Sequence, residues 1–437
     1  MKARVLLIAY YCFIILFMLS VNSVFSITDS TLAELLVKKG IISEDELSVL
    51  QQEAVINSEI KSTDDIAEAI DSSLPSWVTK MRWSGDFRMR YSNEQGVNTN
   101  SKNNTQADMN KYEMRVRYGF VTQINDQIEF GFRMSTGEKK TTGQEHSTSP
   151  ASATQTMGDA MNKKQINFDL AYLIYRPDAA VEITLGKMMN PFYSTELVFD
   201  SDLTFEGFAQ KFIHEGDYGD FYLTFGQFIL DYSSSNNNIP YLFGAQAGGV
   251  IYPGEDVSLN FAVSNYHYKN IAGYNLLNAY QIFPYNGMGN TITALGNYST
   301  GYNLLNITSA LKSRISDVPM RFEVDYVKNM DITSGVDSSK DTGYSLGMYC
   351  GEAKDIRTME GFFMYKEVEA DAVLGIFTDS TFGGGGANKK GYMTGLKYQL
   401  LENTQLGVTY MDTEDETPTS IEDTNAKIYQ LDMLVKF

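Results

Sequence analysis

Residues 80–91 read Lys-Met-Arg-Trp-Ser-Gly-Asp-Phe-Arg-Met-Arg-Tyr. Taken two at a time, Met81, Trp83, Phe87, Met89 and Tyr91 fall on one face, with Gly85 among them. Lys80, Arg82, Ser84, Asp86, Arg88 and Arg90 fall on the other. Side chains of a strand alternate between faces, so this is a strand with one apolar and one charged side. A soluble sheet would bury the apolar side in a core. A membrane barrel would turn it to lipid and the charged side to water.

The same period runs on through the chain of 437 residues. In 111–123, Tyr112, Met114, Val116, Tyr118 and Phe120 oppose Lys111, Glu113, Arg115 and Arg117. In 127–134, Ile128, Phe130, Phe132 and Met134 oppose Gln127, Glu129 and Arg133. In 165–175, Ile166, Phe168, Leu170, Tyr172 and Ile174 are set against Asn167, Asp169, Ala171, Leu173 and Tyr175. Further segments fall near 179–189, 205–214, 219–231, 240–252, 256–268, 302–312, 319–330, 341–353, 356–367, 390–400, 404–413 and 426–437, which makes sixteen with the opening strand. The alternation is weakest in 356–367 and 390–400.

The connections discriminate between the two settings. Tight turns at 124–126, 177–178, 216–217, 253–255, 316–317, 352–355 and 402–403 alternate with long polar stretches. The long ones lie near 92–110, 135–164, 190–204, 232–239, 269–301, 331–340, 368–389 and 414–425. A soluble sandwich has no reason to gather every long loop at one end, whereas an outer-membrane barrel has short periplasmic turns, long outer loops and an even strand number. The expected fold is an all-β transmembrane antiparallel barrel of about sixteen strands over 79–437, with both termini periplasmic. The last strand, 426–437, should close the barrel against the first, its Tyr429, Leu431, Met433, Val435 and Phe437 continuing the apolar belt.

The start of the chain agrees with export. Lys2 and Arg4 precede an apolar run from Val5 to Leu19, and Val24-Phe25-Ser26 offers a cleavage site, so residues 1–26 read as a signal peptide. No later apolar run approaches the ~18–20 residues of a spanning helix. Residues 27–78 read as a short periplasmic helical lead. Gly40 stops a helix over Thr31–Lys39, Ser43 and Glu46 form a capping box, and a third short helix spans Ser62–Ile70. Its role, docking or mere spacing, is open. Of the two cysteines Cys12 lies in the signal, leaving Cys350 alone and no intramolecular disulfide. Tyrosine is heavily used, 28 against two tryptophans, as suits rings at a membrane–water boundary. A net charge of -19 disfavours a nucleic-acid partner.

The water-facing sides of the first three strands carry Arg82, Arg88, Arg90, Arg115, Arg117 and Arg133. Sequential strands of a barrel are neighbours, so these line one wall of the lumen. Guanidinium keeps its charge at any relevant pH. The loop after 179–189 carries Glu196, Asp200, Asp202 and Glu206. Folded inward, it would narrow the pore and set carboxylates opposite the arginines, an arrangement that sets ion selectivity. The plainer reading is that these charges only pair and solvate inside the barrel. His146, His214 and His267 are scattered without ligand spacing or a nearby nucleophile motif. No catalytic, cofactor or metal site is expected, and the Gly383–Gly386 run reads as flexible loop rather than a phosphate cradle. The lead is too short for the plug of a chelate transporter. The alternative function is a structural or adhesive barrel with an occluded lumen, acting through its outer loops.

These residues resemble the putative porins of Gram-negative outer membranes. Leu35–Ser43 is similar to that family's helical lead and Trp83–Tyr91 to its first strand. Gly186–Phe192 and Asp200–Gly207 resemble its strand and loop into the lumen. The most specific likeness is Asp371-Ala372-Val373, then Thr378–Gly386, then Lys390-Gly391-Tyr392, with Thr381 where an Asp is usual. Phe437 resembles the terminal aromatic read by the barrel-assembly machinery. The resemblance implies passive diffusion of small hydrophilic solutes or ions, with membrane lipid and the assembly machinery as partners. A homo-oligomer is allowed, although no residue marks a subunit interface.

Overall fold

The computed structural model describes residues 75–100, 105–137, 152–158, 160–232, 238–276, 287–417 and 425–437. The signal peptide, nearly all of the helical lead, and His146 lie outside them. A single helical turn, Ser76–Thr79, precedes the sheet.

Seventeen strands form one sheet: β1 Arg82–Asn100, β2 Thr105–Gln123, β3 Ile128–Thr136, β4 Gln155–Thr156, β5 Ile166–Asp178, β6 Val181–Met189, β7 Thr204–Gly216, β8 Gly219–Ile229, β9 Tyr241–Gly254, β10 Val257–Lys269, β11 Tyr302–Ile315, β12 Val318–Asn329, β13 Thr342–Gly351, β14 Met359–Val368, β15 Lys389–Leu401, β16 Thr404–Asp415 and β17 Asn425–Lys436. Sixteen of them are staves. β4 is a two-residue strand laid against Glu113 and Met114 of β2. Each stave pairs antiparallel with its sequence neighbours, and β1 pairs with β17, so the sheet closes.

At the seam Phe87 stands opposite Val435, Met89 opposite Met433 and Tyr91 opposite Leu431. Phe437 extends it, its N–H donating to the Gly85 carbonyl at 3.0 Å while the Gly85 N–H donates back at 2.7 Å. The Phe437 ring lies across Gly85, where an added Cβ would stand 2.6 Å from it. Glycine is therefore required at that point of the seam.

The outer face is apolar between two rows of rings. Trp83, Tyr118, Phe120 and Phe130 make up the row near the short turns. Tyr91 with Tyr112, and Tyr392, Tyr410 and Tyr429, make up the row near the long loops. Along β1 the two rows stand at residues 83 and 91. At about 3.4 Å per residue and a tilt of about 40°, that is roughly 21 Å of height, close to the ~25 Å band of outer-membrane barrels.

One expected loop is a strand. Residues 92–110 were expected as a long connection, but β1 runs to Asn100 and β2 starts at Thr105. Beyond Tyr91 the outward positions become Asn93 and Asn110, whose amides bond to each other at 2.9 Å. A hairpin that projects past the lipid meets water on both faces, so its hydrophobic alternation disappears while its ladder continues. Between β13 and β14 the turn is longer than expected, spanning 352–358.

The core lies inside the barrel. The connections 190–203, 270–301 and 369–388 contribute Phe192, Leu197, Phe199, Ile271, Tyr298 and Phe377 to one buried apolar cluster. Inward residues of β6–β14, among them Phe205, Phe228, Tyr266, Tyr302 and Val368, complete it.

Candidate functional site

Three connections meet within the β6–β14 half of the barrel. Connection 369–388 carries an apolar run, Ala372, Val373, Leu374, Ile376 and Phe377, all buried. Asn290 pins it from connection 270–301. Its amide Nδ2 donates to the carbonyls of Ala370 and Val373, each at 2.7 Å, and its Oδ1 accepts from Gly375 N–H at 2.8 Å. Asp371 accepts from Tyr302 Oη at 2.9 Å and from Thr291 N and Oγ1 at 3.0 and 2.6 Å. Gly383 to Gly386 take φ of 60°, 86°, 89° and 94°, a left-handed path that suits glycine.

Connection 190–203 is joined to this segment. The Asp200 N–H donates to the Phe377 carbonyl at 2.8 Å, Thr378 Oγ1 donates to the Leu197 carbonyl at 2.8 Å, and Ser380 N–H donates to Asp200 Oδ2 at 2.7 Å. Beneath the join lies a buried ion pair, Lys366 Nζ to Asp379 Oδ2 at 2.7 Å. The lysine also contacts the Glu196 carbonyl at 3.4 Å and the face of Phe382.

Three carboxyls share this region. Burial, then the charges of Asp379 and Asp200, pushes Glu196 up to about 7. Burial, then the Asp379 charge, pushes Asp200 up to about 6. Burial also works against the charge on Asp379, but the Lys366 ammonium and the N–H groups of Thr381 and Phe382 outweigh it and hold that carboxyl below its ordinary value.

Across the lumen stands the arginine wall. Arg90 makes a two-pronged pair with Asp432 on β17 at 2.7 and 3.0 Å. Arg133 pairs with Asp169 on β5 at 2.6 Å. Arg115 and Arg117 share Asp86 at 3.0 and 2.6 Å, and both also bind Asp202, at 3.2 and 2.8 Å. Asp202 belongs to connection 190–203, so that loop reaches the wall and touches it. Arg88 donates to Thr154 Oγ1 of the segment that carries β4. Its Nε is buried without a partner among the described residues. Arg82 is exposed at the short-turn end of β1.

The structure therefore brings Arg115, Arg117, Asp86 and Asp202 into one cluster, with Arg88 and Arg90 beside it. Asp200 and Glu196 face the second loop rather than the arginines. Glu206, expected in the pore, is corrected: it lies within β7, where its neighbour Phe205 points into the core, so its own side chain points out. There it pairs with Lys187 at 2.7 Å. His214 and His267 are exposed, and His267 lies between the inward Tyr266 and Tyr268. Sequence reasoning missed Lys366 with Asp379, and Asn290 with Asp371. A signal was present in Ala370–Phe377, a mostly apolar stretch within a connection between strands.

Open space lies inside the barrel toward the short turns. One space of about 570 Å³ is lined by Tyr252, Lys312, Arg314, Arg321, Tyr349 and Glu360. Another, of about 320 Å³, is lined by Tyr193, Lys211, Tyr222 and Asn260.

Residues 93–283 and 275–437 match the family described as putative porin. The chain belongs to the putative porin family. It is an outer-membrane porin, a closed β-barrel channel. OprB of Pseudomonas putida, solved at high pH, superposes with a TM-score of 0.52 at 9% identity, over 83% of this chain and 96% of that one. This likeness shows the fold alone. OmpF of Salmonella typhi, in complex with daunomycin, gives 0.46 at 12% identity over 82% and 97% of the two chains. OmpT of Vibrio cholerae, in its trimer form, gives 0.45 at 9% over 82% and 99%. No curated protein matches this porin.

Proposed function

We infer that this porin passes small hydrophilic solutes or ions through a charged constriction between the β1–β3 wall and the inward connection 190–203. The observation that carries the reading is Asp202, which crosses from that connection to bind both Arg115 and Arg117. Opposed rows of charge in a narrow lumen select among ions. Arg82, Arg88, Arg90 and Arg133 would extend the basic wall along the path. Asp200 and Glu196 would hold the loop rather than face the solute. In this reading residues 1–26 are an export signal, 27–78 a periplasmic lead, both termini are periplasmic, and Phe437 serves recognition by the assembly machinery.

Replacing Arg88, Arg90, Arg115 and Arg117 together by Gln should shift the reversal potential in a salt gradient across a planar bilayer. An unchanged potential would remove the charged constriction from the proposal. A second reading, an adhesive barrel with an occluded lumen, is favoured by the apolar cluster that fills the β6–β14 half. Liposome swelling separates the two: swelling in small sugars supports passage, and none supports the adhesive barrel.

A further inference from the structure

The apolar core of the lumen meets the outer surface at a notch between β7 and β8. At the long-loop end β7 stays paired with β6 through Met188–Phe205 and Met189–Thr204. Its pairing with β8 stops at Gly207–Phe228. β8 continues against β9, Ile229 opposite Tyr241, and then the Leu230 N–H donates to the Pro240 carbonyl at 3.1 Å. Thr204, Phe205 and Glu206 thus have a strand partner on the β6 side only, and the wall is open on the other.

A groove of about 190 Å³ follows this opening inward. Lys187, Glu206 and Ile229 form its outer lip, and Phe199, Phe205, Phe228, Leu242 and Phe377 its buried interior. The lip is unusual for its setting. On the outer face of β6 Lys187 stands between Leu185 and Met189, 45% and 54% exposed, in a column otherwise turned to hydrocarbon. A charge there is unfavourable at the midplane of the bilayer and close to neutral near its boundary. The ion pair therefore belongs at the boundary, and the groove opens beneath a polar edge onto the acyl region.

We propose that this groove is a lateral binding site for an acyl chain of an outer-leaflet lipid, with the polar part of the lipid over Lys187 and Thr204 and the chain inserted between Phe205 and Phe228. The surroundings of the mouth name the occupant, since Leu185 beneath the polar lip lies on the lipid side of that boundary, and Met189 and Ile229 add exposed apolar side chains at its edge. The size agrees. An apolar cavity of about 150 Å³ takes up benzene, so this groove accepts a short run of methylenes. The inner end of the groove matters for the pore. Phe199 and Phe377 belong to the two inward connections, which are joined there by the Asp200 N–H to Phe377 carbonyl bond. A seated chain would brace that join, so bilayer composition would reach the constriction directly.

The test uses the full chain with Trp77 and Trp83 replaced by Phe, so that an introduced tryptophan reports alone. Phe199→Trp places the indole inside the wall, at the inner end of the groove. In vesicles of phosphatidylcholine with brominated acyl chains its emission should be lost relative to unbrominated vesicles, because bromine quenches on contact. Tyr298→Trp, in the same core but away from the groove, should keep its emission. If Phe199→Trp is as bright as Tyr298→Trp in brominated vesicles, the proposal is overturned. Quenching by aqueous iodide in place of bromine would make the notch a water path and overturn it equally. Should Phe199→Trp fail to fold, Phe377→Trp reads the same interior, with the same outcomes deciding.

Discussion

Replacing Asp379 by Ala should undock the inward connections without unfolding the barrel. Lys366 and Asp379 are a buried pair, with side chains 2% and 5% exposed and 2.7 Å apart. Removing one partner of such a pair typically costs about 3–5 kcal/mol, because the other charge stays buried and uncompensated. Here the lower end applies. Lys366 keeps the Glu196 carbonyl at 3.4 Å and the Phe382 ring at 4.9 Å. The Glu196 carboxyl, freed of the repulsion from Asp379, can also ionise toward the lysine. At about 1.4 kcal/mol per factor of ten, a loss of about 3 kcal/mol raises the undocked fraction roughly a hundredfold. Hydrogen exchange at the Asp200 and Ser380 amides, whose bonds cross the join, measures this directly, and their protection should fall by that factor while the β-ladder keeps its own. The Thr381 and Phe382 amides lose their Asp379 acceptor outright and do not report docking. Single-channel records should become noisier as the connections leave the lumen. The double variant Lys366→Met, Asp379→Asn should recover most of the protection, since it removes both buried charges while an Asn Oδ1 still accepts from the Thr381 and Phe382 N–H groups. Unchanged protection in Asp379→Ala, or a double variant worse than the single, would refute the argument.

The pH dependence of the same join has a definite sign. Glu196 and Asp200 are raised, so their protonated forms favour the docked state. That contribution is complete below their ordinary values of 4.5 and 3.8 and is lost as the pH rises through about 7 and about 6. Asp379 is lowered and acts oppositely, its contribution present above 3.8 and lost in stronger acid. Protection factors in 369–388 should therefore decline between about pH 4 and 7, and Glu196→Gln should flatten about half of that decline, Asp200 supplying the rest. At the seam, Gly85→Ala would set a Cβ 2.6 Å from both the Arg117 carbonyl oxygen and the Phe437 ring. Overpacking of this kind costs about 1–3 kcal/mol, read as a lower unfolding temperature of the folded band in gel-shift assays, with Phe437→Ala in the same background relieving part of it. Asn290→Ala removes three bonds to the second connection. It should destabilise docking by about 1–3 kcal/mol, the cost of stranding buried partners, visible as faster exchange at Gly375.

The alternation of Lys80–Tyr91 was enough to determine the strand and its two faces, because side-chain direction in a strand has period two whatever surrounds it. The rhythm of short and long connections determined the barrel, the count of staves and the seam, since those follow from the order of turns along the chain. Where the outward face leaves lipid, as at Asn93 and Asn110, the pattern loses its contrast and a strand reads as a loop. Glu206 shows the related limit. It was grouped with its loop by proximity in sequence, and only the register of β7 against β6 shows that it faces outward. The arginines were legible as one wall because β1, β2 and β3 are consecutive. Their partners were not. Asp169 and Asp432 stand on staves next to the wall, but adjacency alone does not give the register that pairs them. Asp202 comes from a connection far along the chain, and long-range contacts carry no local periodicity. The same holds for Lys366 with Asp379, and for the meeting of three connections inside the barrel. Closure of the sheet brings those residues within bonding distance, and their burial then makes each pairing obligatory. The sequence alone thus determined a barrel with a basic wall; the tertiary structure decided what stands against that wall and what fills the other half of the lumen.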